Sequence, residues 1–441
     1  MGSIRGRSAV GASLVAALLV ALTFVPLGEA AATSSSTVPR SNCGTVLVSA
    51  LGSNLVDTID VATRAKAPTV ISSPSPLGVA ITPDGSTALV ADWLGSAVTV
   101  IDLTTRASVA TIPAGPFPYS ISITPDGTKA FVTNYQPQGT VSVIDVAGRS
   151  RIGSGIAVGG NPWGVVVTPD GATAFVSNSA TNTVSTIDVA SLVKNPTDIN
   201  VPGTPAGMAI TPDGTTILVA LNAAPEVATI DVATRVRTPA NITVGPNPAG
   251  MAVTADGRTA FVANNGGSTV TVVDIATRAA VGSPITVGGG PRSPAITPDG
   301  STLYVLNGGS ETISTIDIAT RAVAGASIAV GINPLSLAIT PCAALSASVA
   351  ADGRTVTVTG AQYASLSQLS ISIASTPTTL GSVTTRSDGT FEATYAIDCA
   401  IGAGAHTITA RSIGGLSAST PVEIGACASP STDPVVPAFT G

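Results

Sequence analysis

The chain contains few of the side chains that enzymes use for proton transfer or nucleophilic attack. A single histidine, His406, occurs in 441 residues. A Ser-His-Asp triad and a histidine-ligated metal site both need imidazole, so residues 1–405 can form neither. No glycine-rich segment has the lysine and serine or threonine spacing of a phosphate-binding loop. We therefore expect a protein that is not an enzyme and that needs no cofactor.

Carboxylate and amide side chains leave one alternative, a metal-dependent site. Asp92, Glu226 and Glu311 fall in different units of the repeat described below. A polar residue recurs at one position in most of these units: Ala50, Asp92, Asn134, Asn178, Leu221, Asn264, Asn307. Convergence of Asp92, Asn134 and Glu311 would supply oxygen ligands for a cation. The other interpretation is that each asparagine satisfies loop backbone groups locally, which we favour.

The aromatic residues are concentrated in one part of an aromatic-poor chain. Only 3% of the residues are Phe, Trp or Tyr. Both tryptophans and three other aromatic residues lie on loops that the repeat places at one end of consecutive units: Trp93, Phe117, Tyr119, Tyr135, Trp163. Trp and Tyr combine a large apolar area with a polar group and are enriched at binding surfaces. We predict a ligand- or partner-binding site here, with local loop packing as the alternative.

Two interleaved motifs repeat along the chain and define the elements that position these residues. The aspartate of an Ile-Asp-Val-type motif, usually with Arg four residues later, recurs at Asp60, Asp102, Asp145, Asp188, Asp231, Asp274 and Asp317. The aspartate of Thr-(Pro/Ala)-Asp-Gly recurs at Asp84, Asp126, Asp170, Asp213, Asp256 and Asp299. Repeats of 40 to 45 residues are typical of propeller blades. These aspartates are expected to close turns.

Each unit reads as four short strands. In one unit, 164–168 is a buried run, Pro169-Asp170-Gly171 a turn, 174–177 a second strand and 183–188 an alternating third strand. Residues 156–159 show the fourth strand of the preceding unit. The fold class is therefore predicted to be all-β, with a seven-bladed propeller over 42–342.

The two ends of the array complete each other. Residues 44–48 align with a second strand and 335–341 with a first strand, so one blade takes strands from both ends. In this alignment Cys342 replaces the turn Asp and Cys43 replaces the turn Gly. We predict a Cys43–Cys342 disulfide, which would close a long loop. Pairing of these cysteines elsewhere, or free thiols, is the alternative.

The repeated Ile-Asp-Val and Thr-Pro-Asp-Gly motifs resemble the YVTN family of β-propeller repeats in secreted and surface-layer proteins. Phe131-Val132-Thr133-Asn134 comes closest to the motif that names the family. The resemblance covers about 300 residues and implies the fold. It implies little about function, because related propellers include surface proteins, binding proteins and lactonase-type enzymes. A lactonase-type hydrolase is accordingly the alternative to a binding or surface-structural protein.

A second module, 343–427, shows alternating strands at 354–359, 369–373 and 390–395, with Asp-Gly turns between them. Residues 404–410 are similar to a late strand of bacterial Ig-like surface domains. This resemblance implies an Ig-like β-sandwich, in which Cys399 and Cys427 would pair. Residues 428–441, rich in Pro and Ser, are predicted to be disordered.

The N-terminus predicts export. Arg5 and Arg7 precede an apolar run over 12–25, and small residues follow, as in a secretory signal peptide over 1–32. An uncleaved anchor is the alternative, and 33–41 is a linker. The formal charge is −6, without a basic patch, which argues against nucleic-acid binding. We expect a secreted or cell-surface protein whose partner is an extracellular protein or glycan, with no membrane span after cleavage.

Overall fold

The computed structural model describes residues 44–68, 70–350, 352–361, 368–374, 378–386, 389–398 and 400–426. Within these ranges the regular elements are β-strands, apart from one 3-10 turn at Leu51–Ser53. No helix in the described ranges is long and apolar enough to cross a membrane. The all-β prediction is confirmed.

Residues 45–339 form seven antiparallel sheets, which we number in chain order. Sheet 1 contains β1 (Thr45–Ala50), β2 (Leu55–Asp60) and β3 (Ile71–Ser72). Sheet 2 contains β4 (Pro76–Ile81), β5 (Thr87–Asp92), β6 (Ala97–Asp102) and β7 (Ala107–Pro113). Sheet 3 contains β8 (Pro118–Ile123), β9 (Lys129–Asn134), β10 (Thr140–Asp145) and β11 (Ser150–Ala157).

The next four sheets share one pattern, in which the fourth strand consists of two short pieces that both pair with the third strand. Sheet 4 contains β12 (Pro162–Val167), β13 (Thr173–Asn178), β14 (Thr183–Asp188), β15 (Val193–Lys194) and β16 (Ile199–Asn200). Sheet 5 contains β17 (Pro205–Ile210), β18 (Thr216–Leu221), β19 (Glu226–Asp231), β20 (Val236–Arg237) and β21 (Ile242–Thr243). Sheet 6 contains β22 (Pro248–Val253), β23 (Thr259–Asn264), β24 (Thr269–Asp274), β25 (Ala279–Ala280) and β26 (Ile285–Thr286). Sheet 7 contains β27 (Pro291–Ile296), β28 (Thr302–Asn307), β29 (Thr312–Asp317), β30 (Ala322–Val323) and β31 (Ile328–Ala329).

The sequence predicts one short fourth strand per unit, as over 156–159. In sheet 3 the fourth strand is longer and starts earlier, at Ser150–Ala157, and in sheets 4 to 7 it is split, for which the intervening residues give the reason. Pro196, Pro239 and Pro284 interrupt the fourth strands of sheets 4, 5 and 6, because proline has no N–H to donate to the ladder. In sheet 7, Gly325 has a φ of +73° and turns the chain out of the sheet. The predicted first, second and third strands agree with the structure to within two residues at each end.

The last strand of the array returns to sheet 1. β32 (Pro334–Ile339) pairs antiparallel with β1, with Val46 opposite Ile339 and Val48 opposite Leu337. Cys342 follows directly and is disulfide-bonded. Cys43, Cys399 and Cys427 lie outside the described residues, so the predicted Cys43–Cys342 and Cys399–Cys427 pairings stay predictions.

The repeated aspartates act in turns, as the sequence predicts. In the turn after β4, Asp84 accepts hydrogen bonds from Thr82 Oγ1 at 2.5 Å and from the Ser86 N–H at 3.0 Å. The following residue, Gly85, has a φ of +73°, which an L side chain rarely adopts. In the other motif, hydrogen bonds from Thr105 hold the pKa of Asp102 below its usual value. Both motifs therefore have a sufficient structural role.

At one position the first strands of the sheets approach one another so closely that only glycine or serine occurs there. A Cβ placed on Gly207 would lie 2.1 Å from the Ala249 carbonyl oxygen, and one on Gly250 would lie 2.2 Å from that of Arg292. Glycine or serine occupies this position of all seven first strands: Gly78, Ser120, Gly164, Gly207, Gly250, Ser293, Ser336. Each first strand packs against the next, and β27 packs against β32, which packs against β4. Between neighbouring sheets, apolar side chains form further clusters.

Residues beyond the array form two further sheets. One contains β33 (Ala344–Val349), β34 (Thr355–Ala361) and β37 (Phe391–Ala396). The other contains β35 (Gln368–Ala374), β36 (Thr378–Thr384), β38 (Gly404–Ser412) and β39 (Ser417–Ile424). Side chains of both sheets, among them Val356, Ile371, Phe391 and Ile408, form one hydrophobic core. The predicted signal peptide, linker and tail lie outside the described residues.

The close approach of the first strands predicts that Gly207→Ala is strongly destabilising. The added methyl group meets the Ala249 backbone oxygen, which cannot move without its strand, so we expect a loss of about 2 kcal/mol or more. Urea unfolding followed by far-UV circular dichroism measures the effect. Gly95→Ala is the matched control, because its Cβ would lie at an ordinary 3.4 Å from Asp92 Cβ. Equal unfolding midpoints for the two variants would contradict the packing argument.

Candidate functional site

The five aromatic residues that the sequence singles out form one contacting cluster. Ring centroids lie 5.1 Å apart for Trp93–Phe117, 5.5 Å for Tyr119–Tyr135 and 5.1 Å for Tyr119–Trp163. Trp93 also contacts Tyr119 and Tyr135 at 5.9 Å. Sheets 2, 3 and 4 contribute these residues from strand starts and from the loops after second strands. The predicted juxtaposition is present, and the predicted binding role stays a prediction.

Phe117 is the one bulky residue at a position whose backbone is left-handed in all seven units. It lies directly before the first proline of β8 with a φ of +52°, and its side chain is 42% exposed. The equivalent residues of the other units are small or polar: Ser75, Asn161, Thr204, Asn247, Gly290, Asn333. A bulky residue in the left-handed region costs about 1–2 kcal/mol. The fold therefore tolerates strain at the one unit where this position places an aromatic ring beside Trp93.

The cluster borders a cavity of about 420 Å³ that the first strands enclose. Tyr119 and Trp163 form part of its wall, and Met208, Met251 and three asparagines line it elsewhere. The residue after the first proline of each first strand varies from unit to unit: Leu77, Tyr119, Trp163, Ala206, Ala249, Arg292, Leu335. The two alanines leave room between the aromatic side chains and Arg292. This volume is in the range that holds a small organic ligand.

Arg292 is a site residue that the sequence analysis did not identify. It is the one charged side chain among the described residues that line the cavity. Its Nε is buried and has no hydrogen-bond partner, and burial lowers the pKa of the guanidinium, while the nearby Tyr119 opposes that shift. Aligning the seven units at the first proline would have found it, because a charge occurs there once in seven repeats.

The amide ring has a structural role. Asn134 Nδ2 donates to Thr140 Oγ1 at 2.9 Å and to Ser142 Oγ at 3.0 Å, both on the third strand of its sheet. Asn178, Asn264 and Asn307 repeat this arrangement in sheets 4, 6 and 7. The predicted partners are wrong: these amides donate to side-chain hydroxyls of the third strand and form no Asx-turns, and only Asn264 also accepts from a loop backbone group, the Gly245 N–H at 3.1 Å.

The carboxylates that could have formed a metal site are separated. Asp92 is buried, and Thr99 Oγ1 and Ser73 Oγ donate to it, the latter at 2.8 Å; burial raises its pKa. Glu226 accepts a hydrogen bond from Asn241 at 2.7 Å, and Glu311 is exposed. Among the described residues, no group of three His, Cys, Asp or Glu side chains is arranged to hold a metal ion.

His406 lies on β38, away from the cavity. It is opposite Val422 of β39, and its Nε2 is 2.8 Å from the Gly402 carbonyl oxygen. The side chain is buried at the edge of the core of the second module. This position agrees with a strand-pairing role.

Comparison with known proteins shows the fold. No protein-family model matches the chain, and no curated protein matches it. The periplasmic gluconolactonase of Pseudomonas aeruginosa is similar in structure, with a TM-score of 0.59 at 21% identity over 67% of this chain and 99% of that chain. The hydrazine synthase of Kuenenia stuttgartiensis has a TM-score of 0.54 at 23% identity, over 65% of this chain and 92% of that chain. A functionally unknown protein from Desulfotomaculum acetoxidans has a TM-score of 0.59 at 18% identity, over 67% of this chain and 98% of that chain.

These similarities and the repeated antiparallel sheets define the class of the protein: it is a β-propeller protein. Identities below 25% carry the fold alone, so the chemistry of these proteins is not transferred to this chain.

Tyr119 makes the cavity wall sensitive to alkaline pH. Burial raises its pKa to about 12, Tyr135 adds to the shift, and Arg292 opposes it. Below pH 10 the phenol is neutral in both folded and unfolded chains, so its contribution to stability is fully present. Between pH 10 and 12 only the unfolded chain ionises, and stability falls by up to about 2–3 kcal/mol. Urea unfolding at pH 8 and at pH 11.5 gives the free energy of unfolding at each pH. Between these two values it should fall less for Tyr119→Phe than for the unchanged protein. An equal loss in both proteins would contradict the assignment.

Proposed function

We propose that this chain is an exported, seven-bladed propeller that binds an extracellular glycan or protein without catalysis. The seven sheets of 45–339 would be the blades, and the β1–β32 pairing would close the ring. The repeat motifs support assignment to the YVTN type, and the two-sheet C-terminal module supports an Ig-like domain. The N-terminal sequence supports secretion or attachment at the cell surface.

The aromatic cluster is the observation that carries this proposal. Five contacting rings come together from three sheets, and two of them, Tyr119 and Trp163, line the cavity, although the chain is poor in aromatic residues. The left-handed backbone recurs at the equivalent position of all seven units, but only Phe117 carries a bulky side chain there, and that residue is partly exposed. Flat aromatic faces beside polar groups suit the faces of sugar rings or the anchor residues of a protein partner.

The cluster gives its own spectroscopic signal, because both tryptophans of the chain belong to it. We expect at least one of three soluble hexasaccharides (of N-acetylglucosamine, glucose and galacturonic acid) to change the tryptophan emission of the mature protein. Isothermal calorimetry then gives the dissociation constant for each variant. Trp93→Ala and Trp163→Ala should weaken binding about 10- to 30-fold, the loss of a binding hot spot.

Leu94→Ala is the control, because Leu94 is 70% exposed beside Trp93. Its affinity should match that of the unchanged protein. Retention of full affinity in both tryptophan variants, with unfolding midpoints unchanged, would refute the cluster as the binding site.

Lactone hydrolysis is the second candidate, favoured by the structural similarity to a gluconolactonase. It predicts acid release from glucono-δ-lactone above the spontaneous rate, which a pH-stat measures directly. We expect no acceleration by the mature protein, with or without added Ca²⁺ or Zn²⁺. An acceleration abolished by Arg292→Gln, but not by Arg258→Gln at the far turn after β22, would replace the binding proposal with an enzymatic one.

A further inference from the structure

Arg292 carries a charge that the cavity does not neutralise. Of the described residues that line the cavity, the others are uncharged, and Arg292 Nε is buried with no hydrogen-bond partner. Guanidinium stays protonated at physiological pH, and burying its Nε–H without a hydrogen-bond partner is costly. The propeller thus presents a partly buried cation toward a cavity that can hold a ligand.

The structure makes room for this guanidinium at one position. A Cβ on Gly308 would lie 2.5 Å from Arg292 Cζ and Nε, so only glycine lets the group lie against the backbone there. The equivalent residues of the other units all have side chains: Leu51, Trp93, Tyr135, Ser179, Asn222, Asn265. Gly308 and Arg292 occur in the same unit, as expected if the glycine makes room for the guanidinium.

The other residues of the cavity wall suit a polar ring such as that of a sugar. Tyr119 and Trp163 lie three or four units away from Arg292 in the repeat order, with small residues between them. The amides of Asn222 and Asn265 reach the next sheet only through long contacts, of 3.5 and 3.3 Å, to proline carbonyl oxygens. Such weak contacts leave these amides able to turn toward ligand hydroxyl groups.

We propose that the cavity binds a sugar acid, whose carboxylate pairs with the Arg292 guanidinium while its ring stacks on Tyr119 and Trp163. This inference deepens the proposed binding function and depends on it. A carboxylate matches one guanidinium in charge and in bidentate geometry. A phosphate monoester carries −1.5 to −2 at neutral pH, which a single cation does not balance. The sugar acid can be free or can end an acidic glycan.

The test compares D-galacturonate with D-galactose by calorimetry on the mature protein. Galacturonate should bind at least 10-fold more tightly than galactose. Arg292→Gln should weaken galacturonate binding about 10- to 100-fold and leave galactose binding unchanged, the expected loss of a charge-assisted pair. Gly308→Ala keeps the net charge but displaces the guanidinium. It should therefore also weaken galacturonate binding and leave galactose binding unchanged. Arg258→Gln, which removes an exposed charge at a distant turn, should bind both sugars as the unchanged protein does.

The outcomes separate the two proposals. Equal affinity for both sugars, or galacturonate binding unaffected by Arg292→Gln, overturns the carboxylate site while the aromatic binding function stands. Failure of both sugars and of a galacturonate hexasaccharide also overturns it, and the tryptophan variants then decide the binding function separately. Tighter binding of the hexasaccharide than of the monomer identifies a glycan end as the ligand, and equal binding identifies the free acid.

Discussion

The mutual approach of the first strands is the constraint on which the rest of the structure depends. Where these strands meet, the backbone of the next strand lies where a Cβ on Gly207 or Gly250 would be, so a side chain there requires the strands to shift. Side-chain hydroxyl groups then join adjacent sheets, as when Ser177 Oγ donates to the Ala206 carbonyl oxygen at 2.6 Å. The outer strands follow from this contact, because each hairpin can only extend away from the crowded centre.

The two ends of each sheet have different freedom to vary. Turns of the Thr-Pro-Asp-Gly type keep one sequence because aspartate, glycine and threonine all make backbone or turn contacts there. At the opposite end, the last polar residue of the second strand, an asparagine in four units and Asp92 in sheet 2, hydrogen-bonds within the protein, so the residue that follows it makes no contact that the fold requires. Trp93, Tyr135 and Gly308 occupy that position. Binding chemistry can thus change there without loss of the fold.

The sequence is a good guide to whatever repeats and a poor guide to what occurs once. The motifs predict the first three strands of each unit, because alternation and turn residues are local signals. The aromatic cluster is also predictable, because one period places its members at the same end of adjacent units. The break in the fourth strand depends on single residues that differ among units, a proline such as Pro239 in three sheets and Gly325 in sheet 7. An alignment of the units marks Arg292 as the one charge at its position, but the missing partner of its buried Nε is visible only in the three-dimensional packing.

The asymmetric wall of the cavity has a stereochemical consequence. The backbone of the repeats is nearly equivalent from unit to unit, yet Arg292, the Tyr119–Trp163 pair and the amides of Asn222 and Asn265 are three different kinds of contact at three different places. For a ligand that enters from one side, three unlike contacts distinguish it from its mirror image. A ligand that touched all three would therefore be held in one orientation and one handedness. The proposed site would thus make a nearly symmetrical scaffold a chiral selector through a handful of side chains.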